Sequence, residues 1–413
     1  MGPLSALAEP LPIGGRRMRN RFVFAPMSVS YADRAGQFTT RSVEHYARRA
    51  QGGAAMVITE NIAISEAGRQ LPLQPVADDE RCLAGMSRVA QAIQAGGALA
   101  VAQLVHSGRY AGPWDEYAAR RRLAPSAVAF ELRPGEWVTP AAISLAEIAE
   151  IVDEFARATA LAVRAGFDGV EIHGAQGFLI SSFQSPRMNR RDDEYGSDRS
   201  RFAREVIAAV RGVGPDHLVG LHLMSDEMMD GGWTSADARE FLAGLPKDGL
   251  DFVVPIPTTF ESMRNKLATG VMNATRYSAE VGEAMAGATT AKIFANGGLG
   301  SAAAAESALA SPGVDAVVLA RALLCDPDLP WKVLSGREDE VRVCACSPPL
   351  CLQTQLEGTV CAGWPDEVRA RGYRGLRTPE QGRQLATANA RRPRAVSTSD
   401  IYQPAHKERT CRT

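Results

Sequence analysis

From about residue 21 to about residue 335, short runs of Val, Ile, Ala and Phe alternate with longer amphipathic stretches. Brief apolar runs bounded by Gly, Pro, Asn or Asp read as buried strands, and apolar positions recurring every three to four residues read as helices laid against them. Strands are expected at Arg21–Pro26, Ala54–Glu60, Ala98–Leu104, Gly169–His173, Leu218–Leu223, Leu250–Val254, Lys292–Asn296 and Asp315–Leu319. Helices are expected at Arg41–Gln51, Asp79–Ala95, Leu145–Ala165, Ser200–Val213, Ser235–Leu245, Ser278–Ala286 and Ser301–Ala310. Eight strands in strict alternation with helices predict an α/β protein built as a (β/α)8 TIM barrel. A doubly wound nucleotide-binding sheet would show the same alternation, but no G-x-G-x-x-G follows an early strand.

Two segments interrupt this rhythm. Tyr110–Pro140, rich in Arg, Pro and Ala, is too long for an ordinary connection and predicts a lid over the C-terminal face of the barrel. Its Arg120-Arg121-Arg122 triplet reads as a solvated face, with a phosphate-bearing ligand or NADPH as the alternative. The second segment follows the fourth strand, where His173-Gly174-Ala175-Gln176-Gly177 opens an irregular stretch dense in Ser, Asn, Arg and Asp. Polar groups gathered just after a buried strand are what an active-site loop of such a barrel requires.

Composition narrows the function class. Of the 413 residues, 45% are hydrophobic and 23% charged, ordinary for a globular protein, and a net charge of −1 gives no footprint for nucleic acid or an anionic membrane. No apolar run reaches the roughly 20 residues needed to span a bilayer. The segment MGPLSALAEPLPIGG lacks the basic start and apolar core of a secretory signal, so a cytoplasmic enzyme is expected. Seven cysteines, four of them between Cys344 and Cys361, suit metal or cluster chemistry better than a disulfide framework.

The stretch from His173 to Phe202 carries a long resemblance. His173 to Leu179, Ser182-Phe183-Gln184-Ser185-Pro186, Asn189 to Gly196 and Arg199 to Phe202 are similar to the signature loop of the old yellow enzyme family, the FMN-dependent barrels that include dienoyl-CoA reductases. The resemblance implies a flavin cradle made by Ala25, Pro26, Met27 and Ser28 after the first strand, Thr59 after the second, Gln103 in the third, and His222 where the family has Arg. It also implies a phosphate site at Asn296, Gly297 and Gly298 with Ala320 and Arg321, where the loops after strands seven and eight of a barrel meet. His173 and Gln176 match the pair that holds a substrate carbonyl and stabilises developing enolate charge. Phe178 stands where the family has a Tyr that protonates the substrate. Without it a donor such as Tyr31, Tyr110, Ser28 or water is required. His222 would act on the flavin as a cation only when protonated, histidine having an ordinary pKa of about 6.5. His106 reads as a structural histidine.

Dienoyl-CoA-reductase-like relatives hold a [4Fe–4S] cluster through C-x2-C-x3-C-x11–12-C, whereas this chain has C-x-C-x4-C-x9-C at Cys344, Cys346, Cys351 and Cys361. Ser347 stands where the second ligand belongs. A variant or vestigial cluster, a zinc site and ordinary thiols all remain open. The expected organisation is an FMN-binding barrel over residues 1–335, a cysteine-rich extension over 336–370 and a flexible polar tail over 371–413. If a cluster is bound, an electron-transfer partner protein is implied, and self-association into a homo-oligomer is expected. Three functions are carried forward. One is NAD(P)H-dependent reduction of an activated C=C in a small enone or enoyl substrate. The second runs oxidatively, as a desaturase or amine N-demethylase. The third is a decayed flavin-binding scaffold.

Overall fold

The computed structural model describes residues 6–112, 121–133, 135–264, 275–344, 350–365 and 368–369. Eight parallel strands form the barrel: β1 Phe22–Phe24, β2 Met56–Ile58, β3 Leu99–Val105, β4 Gly169–Gly174, β5 Leu218–Asp226, β6 Phe252–Pro257, β7 Lys292–Asn296 and β8 Val314–Leu319. Each pairs with its neighbours in chain order, and β8 pairs with β1 to close the ring. The strands are nearly continuous in burial because helices cover the outside and side chains fill the inside. Within the barrel, Phe252 and Phe294 stack with centroids 5.0 Å apart. Gly220 makes room for them, since a Cβ there would lie 2.1 Å from the Phe252 ring.

The sequence pattern locates every barrel strand within a few residues. The helix Leu145–Arg164 starts where its polar signal predicts: Ser144 and Glu147 form a reciprocal capping box, a pattern contributing about 1 kcal/mol. At the N-terminal end of the barrel, Leu11–Ile13 and Arg16–Met18 form a hairpin that the pattern does not announce. Gly14 and Gly15 both hold positive φ at its two-residue turn, as a primed hairpin turn requires.

Two expectations change. The predicted lid contains an antiparallel pair, Phe130–Arg133 with Glu136–Val138, and a parallel pair, Leu123–Ala124 with Ala141–Ala142. The segment after His173 is not wholly irregular, because it includes the helices Leu179–Gln184 and Glu194–Ser197. Leu179, Ile180 and Phe183 are buried, and that burial outweighs the loop-like composition around them. The predicted flexible tail lies outside the described residues apart from its approach, where 350–365 folds back onto the loop after β1. There the Gln355 amide donates to the Ser28 carbonyl at 2.9 Å, the Thr359 amide to the Val29 carbonyl at 2.8 Å, and the Tyr31 hydroxyl to the Thr359 carbonyl at 2.5 Å.

Candidate active site

Parallel strands deliver their C-terminal ends to one rim, and most of the expected site residues stand there. The register pairs His173 with His222 across β4 and β5, and Glu171 with Gln103 across β4 and β3. In a parallel ladder paired residues point the same way, so these four side chains form one array. The Gln103 amide donates to Glu171 Oε2 at 2.7 Å, and His222 Nδ1 lies 3.3 Å from Glu171 Oε1. Glu171 is fully buried. Such a carboxylate is tolerated only with partners, and removing the partner of a buried charge costs about 3–5 kcal/mol.

The His173 and His222 rings are 5.1 Å apart. Burial, reinforced by His222, holds the His173 pKa well below its ordinary value, so the ring is neutral. The Ala175 amide donates to His173 Nδ1 at 3.3 Å, which leaves the ring proton on Nε2 as a donor. Gln176 contacts the same ring through its side chain and is held at φ 60, a left-handed backbone that non-glycine residues adopt at a cost. Phe178 is buried edge-on to His173, with centroids 4.7 Å apart. It also meets Tyr110 at 6.0 Å and Phe260 at 5.5 Å, and Tyr110 meets Phe130 from the lid at 5.2 Å.

Among the alternative proton donors, Tyr110 is the phenol in this aromatic wall. Tyr31 instead belongs to the anchor of the C-terminal segment, and Ser28 donates to Asn61 at 2.9 Å. The remaining cradle residues lie on the neighbouring arc of the rim. Ala25, Pro26, Met27 and Ser28 follow β1, and the Thr59 hydroxyl, after β2, accepts from the Gln103 backbone N–H at 3.4 Å. Gly297 and Gly298 follow β7 with φ 93 and 72, and the Asn296 side chain ties them to the Pro255 carbonyl. Ala320 and an exposed Arg321 follow β8, which pairs with β7 at Asn296 and Val318.

Three charged side chains take supporting roles that only the fold assigns. Glu171 looks like an ordinary polar interruption of a strand. Glu60 accepts the backbone amides of Val29 at 3.0 Å and Ser30 at 2.8 Å, holding the loop that carries the Pro26–Met27 corner. Burial pushes its carboxyl up to about 8 despite these donors. Arg109 is fully buried, pairs with Glu261 at 3.0 Å, donates to the Gly177 carbonyl at 3.2 Å, and covers the Tyr110 and Phe130 rings at 5.0 and 4.7 Å. His106 behaves as a structural histidine: its buried ring, with a pKa lowered to about 4, accepts the Gly108 amide at 3.1 Å. Of the basic triplet, Arg121 pairs with Glu147 and Arg122 donates to the Gly112 carbonyl, while Arg120 lies outside the described residues.

Of the four expected metal ligands, Cys344, Cys351 and Cys361 are described and Cys346 lies outside the described residues. Cys351 and Cys361 cluster with Cys325, a residue no motif singles out, and Cys344 packs against them. Among the described residues no three His, Cys, Asp or Glu side chains converge tightly enough for a single metal ion. No helix of the described residues is long and apolar enough to cross a membrane. An open cleft of about 730 Å³ lies at the opposite, N-terminal end of the barrel, lined by Arg16, Arg211, Lys247 and Lys292 among others. Arg16, Arg211 and Lys292 there already face Asp168, Asp251 and Asp315, so the rim array, with its convergent polar groups, is the better candidate for chemistry.

Comparison with known proteins identifies the family. The model of the NADH:flavin oxidoreductase / NADH oxidase family matches residues 6–340. The chain is 34% identical to a metal reductase of Desulforamulus reducens over 84% of its own length and 52% of that protein. It is 31% identical to an NADH oxidase of Thermoanaerobacter brockii, covering 80% of this chain and 51% of that one. The chain therefore spans about half the length of these two relatives. An NADPH dehydrogenase of Halalkalibacterium halodurans is 30% identical and is covered over 90% of its length by 77% of this chain. Among solved structures, morphinone reductase superposes with a TM-score of 0.68 at 27% identity, over 84% of this chain and 93% of that one.

Proposed function

Because the chain belongs to the NADH:flavin oxidoreductase / NADH oxidase family, we propose that it is an FMN-dependent oxidoreductase that takes electrons from NADH or NADPH and reduces an activated C=C of a small enone or enoyl substrate. The observation that carries this reading is the neutral His173, whose remaining donor is Nε2–H, beside Gln176 at the rim and above the Gln103–Glu171–His222 array.

The residues present fit the cofactor. Two consecutive glycines at positive φ, with Arg321 on the adjoining loop, suit a phosphate. Gln103 and His222 supply polar groups for the edge of the ring system, and the Pro26–Met27 corner supplies an apolar contact. Bound FMN supplies hydride chemistry at N5. The protein's own part is electrostatic and positional. His173 and Gln176 hold the substrate carbonyl oxygen and stabilise the charge that develops on it. Phe178 excludes water from that oxygen but offers no proton. Tyr110 gives the proton to the α-carbon in its place and is reprotonated from solvent.

The oxidative alternative gains something from Phe178, since amine oxidation needs no proton at an α-carbon. Against it stands Arg109, whose guanidinium, paired with Glu261, already covers the Tyr110 and Phe130 rings and so occupies faces that an ammonium substrate would use. Anaerobic titration of the purified flavoprotein with NADH and NADPH tests the reading. Bleaching by either nucleotide, reversed by an enone, is expected; a flavin bleached by amines and by neither nucleotide would overturn it.

The cysteine group suits an iron–sulfur cluster in its chemistry. Four described thiols, none in a disulfide, gather in an apolar shell with Leu324, Met27 and Trp364. Each thiolate of a cube binds a different iron, so the ligands stand farther apart than around one ion. We take the extension to be a [4Fe–4S] segment and an electron-transfer protein to be its partner.

A further inference from the structure

We propose that Cys325, from the loop after β8, is the fourth thiolate of this cluster, taking the place vacated at Ser347, with Cys344, Cys351 and Cys361 as the other three. The proposal rests on the cluster reading above and adds to it a ligand about twenty residues outside the cysteine motif.

The fold brings these four residues together by specific bonds. Cys325 ends the short helix Arg321–Cys325, and the next residue, Asp326, is fully buried. The Asp326 carboxylate accepts the Arg342 backbone amide at 2.9 Å and pairs with Lys332 at 2.6 Å. That bond ties the chain two residues before Cys344 to the residue after Cys325. On the other side, the Trp364 indole N–H donates to the Leu324 carbonyl at 2.6 Å. This ties the chain three residues after Cys361 to the residue before Cys325. The Thr359 hydroxyl donates to the Cys351 carbonyl at 3.3 Å, placing the third segment against the same corner. Cys325 is thus stitched on both flanks to the strands of chain that carry Cys344 and Cys361.

The sulfurs themselves converge. The Cys325 and Cys361 thiols share one corner in hydrogen-bonding contact, which cluster insertion would part, and the Gly363 amide donates to Cys361 Sγ at 3.4 Å. A Cβ on Gly363 would lie 2.5 Å from Cys325 Sγ and 3.7 Å from Cys361 Sγ, so the bare glycine leaves room for the Cys325 sulfur at this corner. Amide N–H groups directed at ligand sulfurs are among the features that set the potentials of such clusters. A ligand set of Cys325, Cys344, Cys351 and Cys361 also avoids the strain of adjacent ligands that Cys344-x-Cys346 would impose. When two ferrous and two ferric irons enter with four sulfides, each thiol releases its proton to solvent as its sulfur bonds one iron, and no iron changes oxidation state.

The test uses the full chain, purified anaerobically and reconstituted with equal amounts of ferrous and ferric iron and with sulfide. It measures iron, acid-labile sulfide and bound FMN, with electron paramagnetic resonance of oxidised and reduced samples. The wild type is expected to hold about four irons per chain. C325A is expected to keep its FMN, lose at least a quarter of the iron, and show a three-iron signal when oxidised. C346A and the remote C82A are expected to match the wild type. A C325A protein with full iron and an unchanged resonance would overturn the ligand assignment while leaving the cluster reading intact, and so would iron loss in C346A alone. A wild type that takes up no iron while retaining FMN would overturn the cluster reading and this assignment together. Should C325A lose FMN as well, C325S serves as the second variant. A serine oxygen on one iron shifts the resonance, whereas an unshifted, fully loaded C325S would count against the proposal.

Discussion

At the level of single residues, proton supply is the sharpest question, because Phe178 leaves the His173 corner without a donor of its own. If Tyr110 is the acid, Y110F should slow alkene reduction by about 10²–10⁴-fold while leaving flavin reduction by NAD(P)H unchanged, as stopped-flow measurement of the two half-reactions would show. F178Y should restore a donor beside His173 and make the Y110F loss small; an F178Y/Y110F double variant as slow as Y110F would count against the geometry. Glu171 acts one step further back. It holds Gln103 and His222 in a single array, so E171Q should loosen both side chains and weaken FMN retention on dialysis. A higher flavin potential is expected in H222R, where a fixed guanidinium replaces the imidazole, readable by spectroelectrochemistry. Phe178 and His222 are visible as departures in the sequence. Glu171 is not, because a carboxylate inside a strand announces itself only when the neighbouring strands surround it.

Among the elements, the loop after β1 depends on one buried acid. Burial raises the Glu60 carboxyl from an ordinary 4.5 to about 8. The folded state therefore holds this proton more tightly than the unfolded chain. Its contribution is fully present below about pH 4.5 and is lost as pH rises through about 8. Urea unfolding should show the wild type losing stability relative to E60Q across that window, and parallel curves for the two proteins would refute the assignment. The loop after β7 makes a different demand. Gly298 sits at φ 72, where a Cβ costs about 1–2 kcal/mol, so G298A should weaken FMN retention roughly 10-fold or more on dialysis.

Across the whole molecule, the cysteine extension is joined to the barrel rather than appended to it. Gln355, Thr359 and Tyr31 bond it to the loop that carries Pro26 and Met27. Truncation after residue 340 removes three such bonds at about 0.5–1.5 kcal/mol each. The truncated chain should melt at a lower temperature and release FMN more readily, which thermal scanning with flavin fluorescence would report. A truncated protein with unchanged flavin release would show that the extension serves the cysteines alone.

The barrel, its strand order and the arc of rim residues were legible in the sequence, since burial on both faces of a parallel strand writes a continuous apolar run and the loops after the strands carry the polar exceptions. His173, Gln176 and Phe178 were legible for the same reason, being local to one loop. The lid hairpin and the helix Leu179–Gln184 were not, because their order comes from surfaces supplied by remote segments. Cys325 belongs to that second class: no spacing relates it to Cys344 or Cys361, and hydrogen bonds across the fold bring it to the segments that carry them. Periodicity and loop chemistry are properties of neighbouring residues and survive in one dimension. The partners of Glu171, Glu60 and Cys325 are chosen by the closure of the barrel, which places residues far apart in the chain within a few ångströms of one another.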